Sequence, residues 1–224
     1  MTSEDWRLVG FTLGMAAFST VLLVPPGLWL AWRLARWNWP GKTWVETVIA
    51  LPLVLPPVAT GLILLKLFSR QGWLGAFLWE ALGISVVFTW RGVVVALALM
   101  SLPLFVRSAR VAFAGVSRRH EQIAASLGAG PIRVFWTVSV PLAGRGLLAG
   151  VLLAFARALG EFGATVILAG NIPGRTQTLA LAIYQSVQMG DDSHALRLLM
   201  ISVVLAFVLA GTSEWLSRSP SSRP

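Results

Sequence analysis

Long apolar runs separated by short basic stretches set the pattern of this chain. Leu8 to Trp32 is 25 residues without a charge, and Thr47 to Leu65 is 19. At about 1.5 Å per residue, either run crosses a hydrocarbon layer roughly 30 Å thick. The same reading predicts five spans, at about 8–32, 46–67, 84–106, 140–169 and 194–216, and leaves room for a sixth. The fourth is long and contains Arg145, Arg157 and Glu161, so its limits are the least defined. Thr176 to Met189 is amphipathic but only 14 residues long, which predicts a re-entrant or interfacial helix instead of a crossing. The expected fold class is all-α and polytopic, with residues 1–224 forming one transmembrane domain.

Charge orients the spans, because basic residues collect in the loops that stay inside. Arg33, Arg36 and Lys42 follow the first span. Arg107, Arg110, Arg118, Arg119 and Arg133 follow the third, and Arg218 and Arg223 follow the fifth, which puts ten of the 18 basic residues on one side. The other side has Arg7, Arg70 and Arg175 among Glu4, Asp5, Glu80, Asp191 and Asp192. The N-terminus is therefore expected outside and the C-terminus inside. Trp29, Trp32, Trp37, Trp39, Trp44, Trp73, Trp79, Trp90 and Trp215 fall near span ends, where indole rings favour the interface. A net charge of +9 suits a nucleic-acid binder, but with 56% hydrophobic and 12% charged residues the uncharged runs exclude that class. The first run exceeds a signal-peptide core and is expected to be retained. With no cysteine there is no disulfide, thiolate metal site or thiol chemistry.

The spans offer little for catalysis. No carboxylate pair is apparent, and His120 and His194 fall on opposite sides, so no metal site and no catalytic residue is expected. Pro40-Gly41-Lys42-Thr43 ends like a phosphate-binding loop, yet Arg36 occupies the position where that loop needs its first glycine. ATP hydrolysis is therefore expected elsewhere, and a membrane-embedded enzyme is disfavoured. Pro52, Pro56 and Pro57 predict a kink in span two, whose freed carbonyls need protein or water beside them. Arg157 and Glu161 stand at i and i+4, where an ion pair can form inside the membrane. Two readings stand for it: a pair that fixes packing, or an arginine that attracts an anion on the translocation path. Arg91 and Lys66, near the outer ends of their spans, either snorkel to headgroups or draw anions to the mouth. The surplus of basic groups leans toward an anionic solute.

The loop at about 107–133 carries the most specific signal. Ser117 is an N-cap candidate, and Gly128, Gly130 and Pro131 are expected to end the helix that follows. Ile123 and Leu127 lie one turn apart with Ala124 and Ala125 beside them, a narrow apolar stripe that fits a groove on another protein. A helix resting on the membrane would need bulkier apolar residues.

The segment Gln122–Pro141 resembles the "EAA" loop of ABC importer permeases. Ala124 and Gly128 fit its pattern, and Val138-Ser139-Val140-Pro141 closes it at the right distance. Gln122 stands at the usual glutamate position, with Glu121 one residue earlier, and Ile123 takes the first alanine position. The strings at 51–58, 155–165 and 171–178 resemble the molybdate permeases within that family, with sulfate permeases less similar around the double proline. The resemblance implies a type I importer fold in the bacterial cytoplasmic membrane, acting as a homodimer. It also implies two ATP-binding cassette subunits that use ATP and Mg, an external molybdate-binding protein, and no cofactor on this chain. Glu121, Gln122, Ile123, Ala124, Ala125, Leu127, Gly128 and Gly130 would form the docking loop. A sulfate or thiosulfate permease and a stand-alone anion channel or secondary carrier are the alternatives, and a self-sufficient carrier has no use for such a loop.

Overall fold

The computed structural model describes residues 2–217, with side chains through Thr212, and among these every regular element is helical. The order is α1 Ser3–Arg36, α2 Lys42–Val54, α3 Pro57–Phe68, α4 Trp73–Leu82, α5 Trp90–Ala114, α6 Arg118–Ser126, α7 Pro131–Val134, a π-helical turn Phe135–Ser139, α8 Val140–Leu159, α9 Gly163–Leu168, α10 Leu179–Gln188 and α11 Asp192–Ser217. Four stretches are long and apolar enough to cross a membrane, and α2 with α3 makes a fifth if the bent pair counts as one span.

Local chemistry sets several boundaries. A capping box opens α1: Asp5 N–H donates to Thr2 Oγ1, and Thr2 N–H donates to Asp5 Oδ2. The helix then passes Pro25 and Pro26 without a break. Span two departs from the expected kinked helix. It breaks outright between Val54 and Pro57, and the halves are bent by 113°. Pro56 lacks the amide that would continue α2, and Pro57 enters α3 at its first turn, where a missing N–H costs nothing.

Span three begins at Trp90, not residue 84, because Thr89 Oγ1 donates to the Ser85 and Val86 carbonyls and holds the approach in a turn. It runs on past Arg107 and Arg110 to Ala114. Span four is also corrected. It enters through α7 and the π turn, stops at Leu159, and resumes as the short α9. Pro131, expected to end a helix, instead starts α7. The segment expected to stay on the outer side is α10, ten residues long, and the Leu179 amide at its start donates to Thr12 Oγ1 of α1. Trp215, Arg218 and Arg223 lie outside the described side chains.

The core joins α1, α5 and α8 around Leu23, Leu34, Phe105, Phe113 and Leu147. Lipid tails are as apolar as these side chains, so close packing, and not water exclusion, holds helices together in a membrane. Small residues make that approach available. A methyl group at Gly146 would fall 2.6 Å from Ala112 Cβ, and one at Gly150 would fall 3.0 Å from Ser108 Oγ. On α1, Gly27 leaves a notch filled by the Phe105 ring, 2.5 Å from where a methyl would sit. By contrast α2 buries Pro52 alone.

Candidate functional site

At one end of the bundle α6 leaves most of its surface uncovered. Ser117 caps it, its Oγ accepting from Arg119 N–H at 3.3 Å. Gly128 ends it at φ +86°, a left-handed conformation that favours glycine. The Gly128 amide donates to Ala125 O and the Ala129 amide to Ala124 O, the paired bonds of a Schellman stop. No residue of α6 is buried. Ile123 and Leu127 are 49% and 83% exposed, with Gln122 and Ala125 exposed beside them and Ala124 half-buried. Gly130 is exposed and precedes Pro131 at the start of α7. Ile132 and Trp136 extend the apolar exposure into the next turns.

Glu121 faces the other way. Its Oε1 accepts from Arg36 Nε at 3.0 Å and from Ser139 Oγ at 2.6 Å, and Arg36 Nη2 lies 2.8 Å away. Arg36 Nη2 also donates to Val116 O, and Arg118 Nη2 donates back to Arg36 O. Both side chains of the pair are largely buried, at 7% and 15% exposed. The wide π turn carries Ser139, which is fully buried, into this contact. One carboxylate thus fastens α6 to the end of α1 and the start of α8. Sequence reasoning placed Glu121 in the loop but missed Arg36 and Ser139, whose only signal was a basic last turn and a hydroxyl before Pro141.

A second group lies within the spans. Arg157 Nη1 is 2.8 Å from Glu161 Oε2, so the expected pair forms. Glu161 Oε1 also accepts from Ala164 N–H at 2.8 Å, and the residue is 2% exposed. The carboxylate therefore holds the start of α9 as well as the arginine. A methyl group at Gly163 would fall 2.7 Å from Pro57 Cβ, so the break in span two and the break after α8 meet. This brings Pro57 to the Glu161 segment; Pro52 remains inside α2 and Pro56 precedes α3.

The two histidines are far apart in role. His120 is on α6, while His194 Nε2 lies 3.3 Å from the buried Asp5 and its Nδ1 lies 3.0 Å from Ser186 Oγ, joining α1, α10 and α11 at the opposite end. Beside it Asp191 Oδ1 accepts from the His194 amide and the Ser193 hydroxyl, and these bonds hold its carboxyl below the usual range. Among the described residues no group of three His, Asp or Glu could hold a metal. Arg91 rests over the Trp90 ring and donates weakly to Ser85 O, while Lys66 is exposed in the last turn of α3.

A multi-span helical domain with a bare, anchored helix at one end is the form of a membrane subunit built to work with a soluble partner. The family of binding-protein-dependent transport system inner membrane components matches residues 24–219, and the chain belongs to that family. It is 45% identical over 219 residues to the molybdenum transport system permease protein ModB of Escherichia coli K12, covering 97% of this chain and 96% of that one. It is 40% identical over 184 residues to a probable sulfate transport system permease of Chlorokybus atmophyticus, covering 82% of this chain and 64% of the relative. Among solved structures, the inward-facing MetNI methionine ABC transporter matches with a TM-score of 0.73 at 16% identity, covering 97% and 98% of the two chains, which shows a shared fold.

Proposed function

We propose that this chain is the membrane-spanning subunit of an ATP-driven importer that carries molybdate, and tungstate, into the cytoplasm. The observation that carries the reading is α6: an apolar stripe left bare on a helix whose opposite face is fastened by Glu121 to two spans. Such a helix transmits a push. The near-full-length similarity to molybdenum transport permeases supports the solute, and the lower, partial similarity to a sulfate permease ranks sulfate second.

On this reading two copies pair in the membrane, two ATP-binding cassette subunits dock on the two α6 helices, and an external binding protein delivers the oxyanion. ATP and Mg belong to the cassette subunits, and this chain binds no cofactor. Closure of the cassettes moves α6, and Glu121 passes that motion to α1 and α8. The path alternates between outward and inward access, driven by the difference in subunit contacts between the two states. The end bearing α6 faces the cytoplasm, and the Asp5–His194 contact faces outward.

Uptake by the reconstituted complex tests this directly. Molybdate uptake should require ATP and should be competed by tungstate far better than by sulfate. Preferential sulfate uptake would select the sulfate reading, and uptake without cassette subunits would select a channel or carrier. Leu127→Asp, at an exposed position, should leave the chain inserted but unable to retain its ATPase partner, as read by co-purification.

A further inference from the structure

A second charged feature sits near the end of the bundle that carries α6, where α2 leaves α5. A cavity of 90 Å³ opens there between Glu46 and Ile49 of α2 and Pro103, Val106, Arg107 and Arg110 of α5. Its apolar wall is Ile49, Pro103 and Val106, and its polar side is two arginines and one carboxylate. Arg110 Nη1 lies 2.8 Å from Glu46 Oε1, and Lys42 Nζ lies 4.0 Å from the same atom. Despite that closeness Glu46 Oε1 is buried without an aligned hydrogen bond, so the guanidinium N–H groups are not directed at it. Arg107 makes no ion pair and no side-chain hydrogen bond among the described residues. Two arginines and one carboxylate in the lining leave one positive charge in excess beside a cavity the size of a compact ion.

A latch between α2 and α5 accounts for part of this. A half-exposed pair such as Glu46–Arg110 contributes only about 0–1 kcal/mol, and a latch gives Arg107 no role. Snorkelling to headgroups accounts for Arg107 but not for Arg110 held 2.8 Å from a buried carboxylate oxygen. Occupancy by a tetrahedral dianion gives both arginines a role. It supplies acceptor oxygens to Arg107, offers Arg110 an aligned alternative to Glu46, and balances the excess charge. That chemistry is shared by the free solute and by a phospholipid headgroup phosphate. The carboxylate repels either anion alike, and the oxyanion-importer reading favours the free ion.

We infer that Arg107 and Arg110 form an exit-side site for the transported oxyanion and that Glu46 competes with the ion for Arg110. While empty, Glu46 holds α2 against α5. An arriving dianion takes Arg110, and α2, buried at Pro52 alone and joined to α3 through the break at Leu55–Pro56, is released. Return of Glu46 then expels the ion. This rests on the oxyanion-importer reading above.

The test uses the complete complex with its ATPase subunits, without ATP or external binding protein, in nanodiscs of zwitterionic lipid, with tungstate as the probe. Arg107→Gln should weaken tungstate binding about tenfold or more, the loss expected for a charge-assisted contact. Glu46→Gln should tighten it several-fold and slow ATP-driven release in proteoliposomes. Binding within about twofold of wild type in both variants, a factor worth under 0.5 kcal/mol, overturns the site. So does tungstate binding that disappears when anionic phospholipid is added, which would assign the arginines to a headgroup. If Glu46→Gln fails to assemble, the exposed Arg107 carries the test alone. ATP-driven molybdate uptake by the wild-type complex, measured in parallel, separates the outcomes. Uptake with unchanged binding in the variants removes this site only, whereas no oxyanion uptake removes the functional reading beneath it.

Discussion

At Glu161 two demands fall on one carboxylate. Its Oε2 balances Arg157, and its Oε1 holds a free amide in the first turn of α9, where the backbone restarts after Gly160. Arg157→Gln leaves that buried charge half-partnered, a change worth about 3–5 kcal/mol. Thermal unfolding of the purified complex should show a clear fall in Tm. The Arg157→Gln/Glu161→Gln double variant should recover most of it, because glutamine still accepts from Ala164. Unchanged stability with lost transport in the single variant would instead give Arg157 to the ion. The pairing was legible from the i, i+4 spacing; the Ala164 contact was not, since it exists only because α8 stops at Leu159. Asp191 offers a test at the other end. Its carboxyl sits below the usual range, so the cap it gives α11 is complete above that range and is lost as pH falls through its lowered pKa. Protection of the amides near His194, taken against intrinsic exchange at the same pH, should fall in acid, and Asp191→Asn, which keeps the acceptor without the charge, should flatten that dependence.

Among the elements, α6 shows what local chemistry can and cannot reveal. Ser117, Ile123, Leu127 and Gly128 mark a capped, one-faced, glycine-stopped helix within a dozen residues, and the structure keeps all four roles. Its anchorage was hidden because Arg36 lies 85 residues from Glu121 and Ser139 lies 18 away. Arg36→Ala removes charge-assisted bonds worth about 1.5–3 kcal/mol each. It should raise amide exchange across 118–126 and leave ATP hydrolysis running without matched uptake, a ratio that reconstituted vesicles measure. Gly128→Ala places a methyl in the left-handed region, at a cost of about 1–2 kcal/mol, and should fray the end of α6 while α5 and α8 stay protected. The span limits erred for a related reason. Hydropathy marks where the chain is apolar, not where backbone hydrogen bonding stops, so 160–169 read as helix and the break at 55–56 read as a kink.

Across the whole molecule, the four long spans and the broken fifth were readable as apolar runs because bilayer thickness acts on long stretches. The packing order was less so. Gly146 and Gly150, four apart, form the close face of α8 against Ser108 and Ala112, also four apart. That small-residue spacing was present in the chain, but its partner helix was unspecified. The helices are also unequally held, with α5 the most buried of the spans and α11 the least.

The Phe105 ring in its notch at Gly27 has a mechanical consequence. A knob seated in a slot resists both sliding and rotation, so α1 and α5 are held in register while that ring stays in place. Together with α8 they form one block, so motion received through Glu121 carries the three helices as a unit. Any access-switching motion within one subunit must then reside in the loosely held pieces, α2 about its break and α11 along its exposed side.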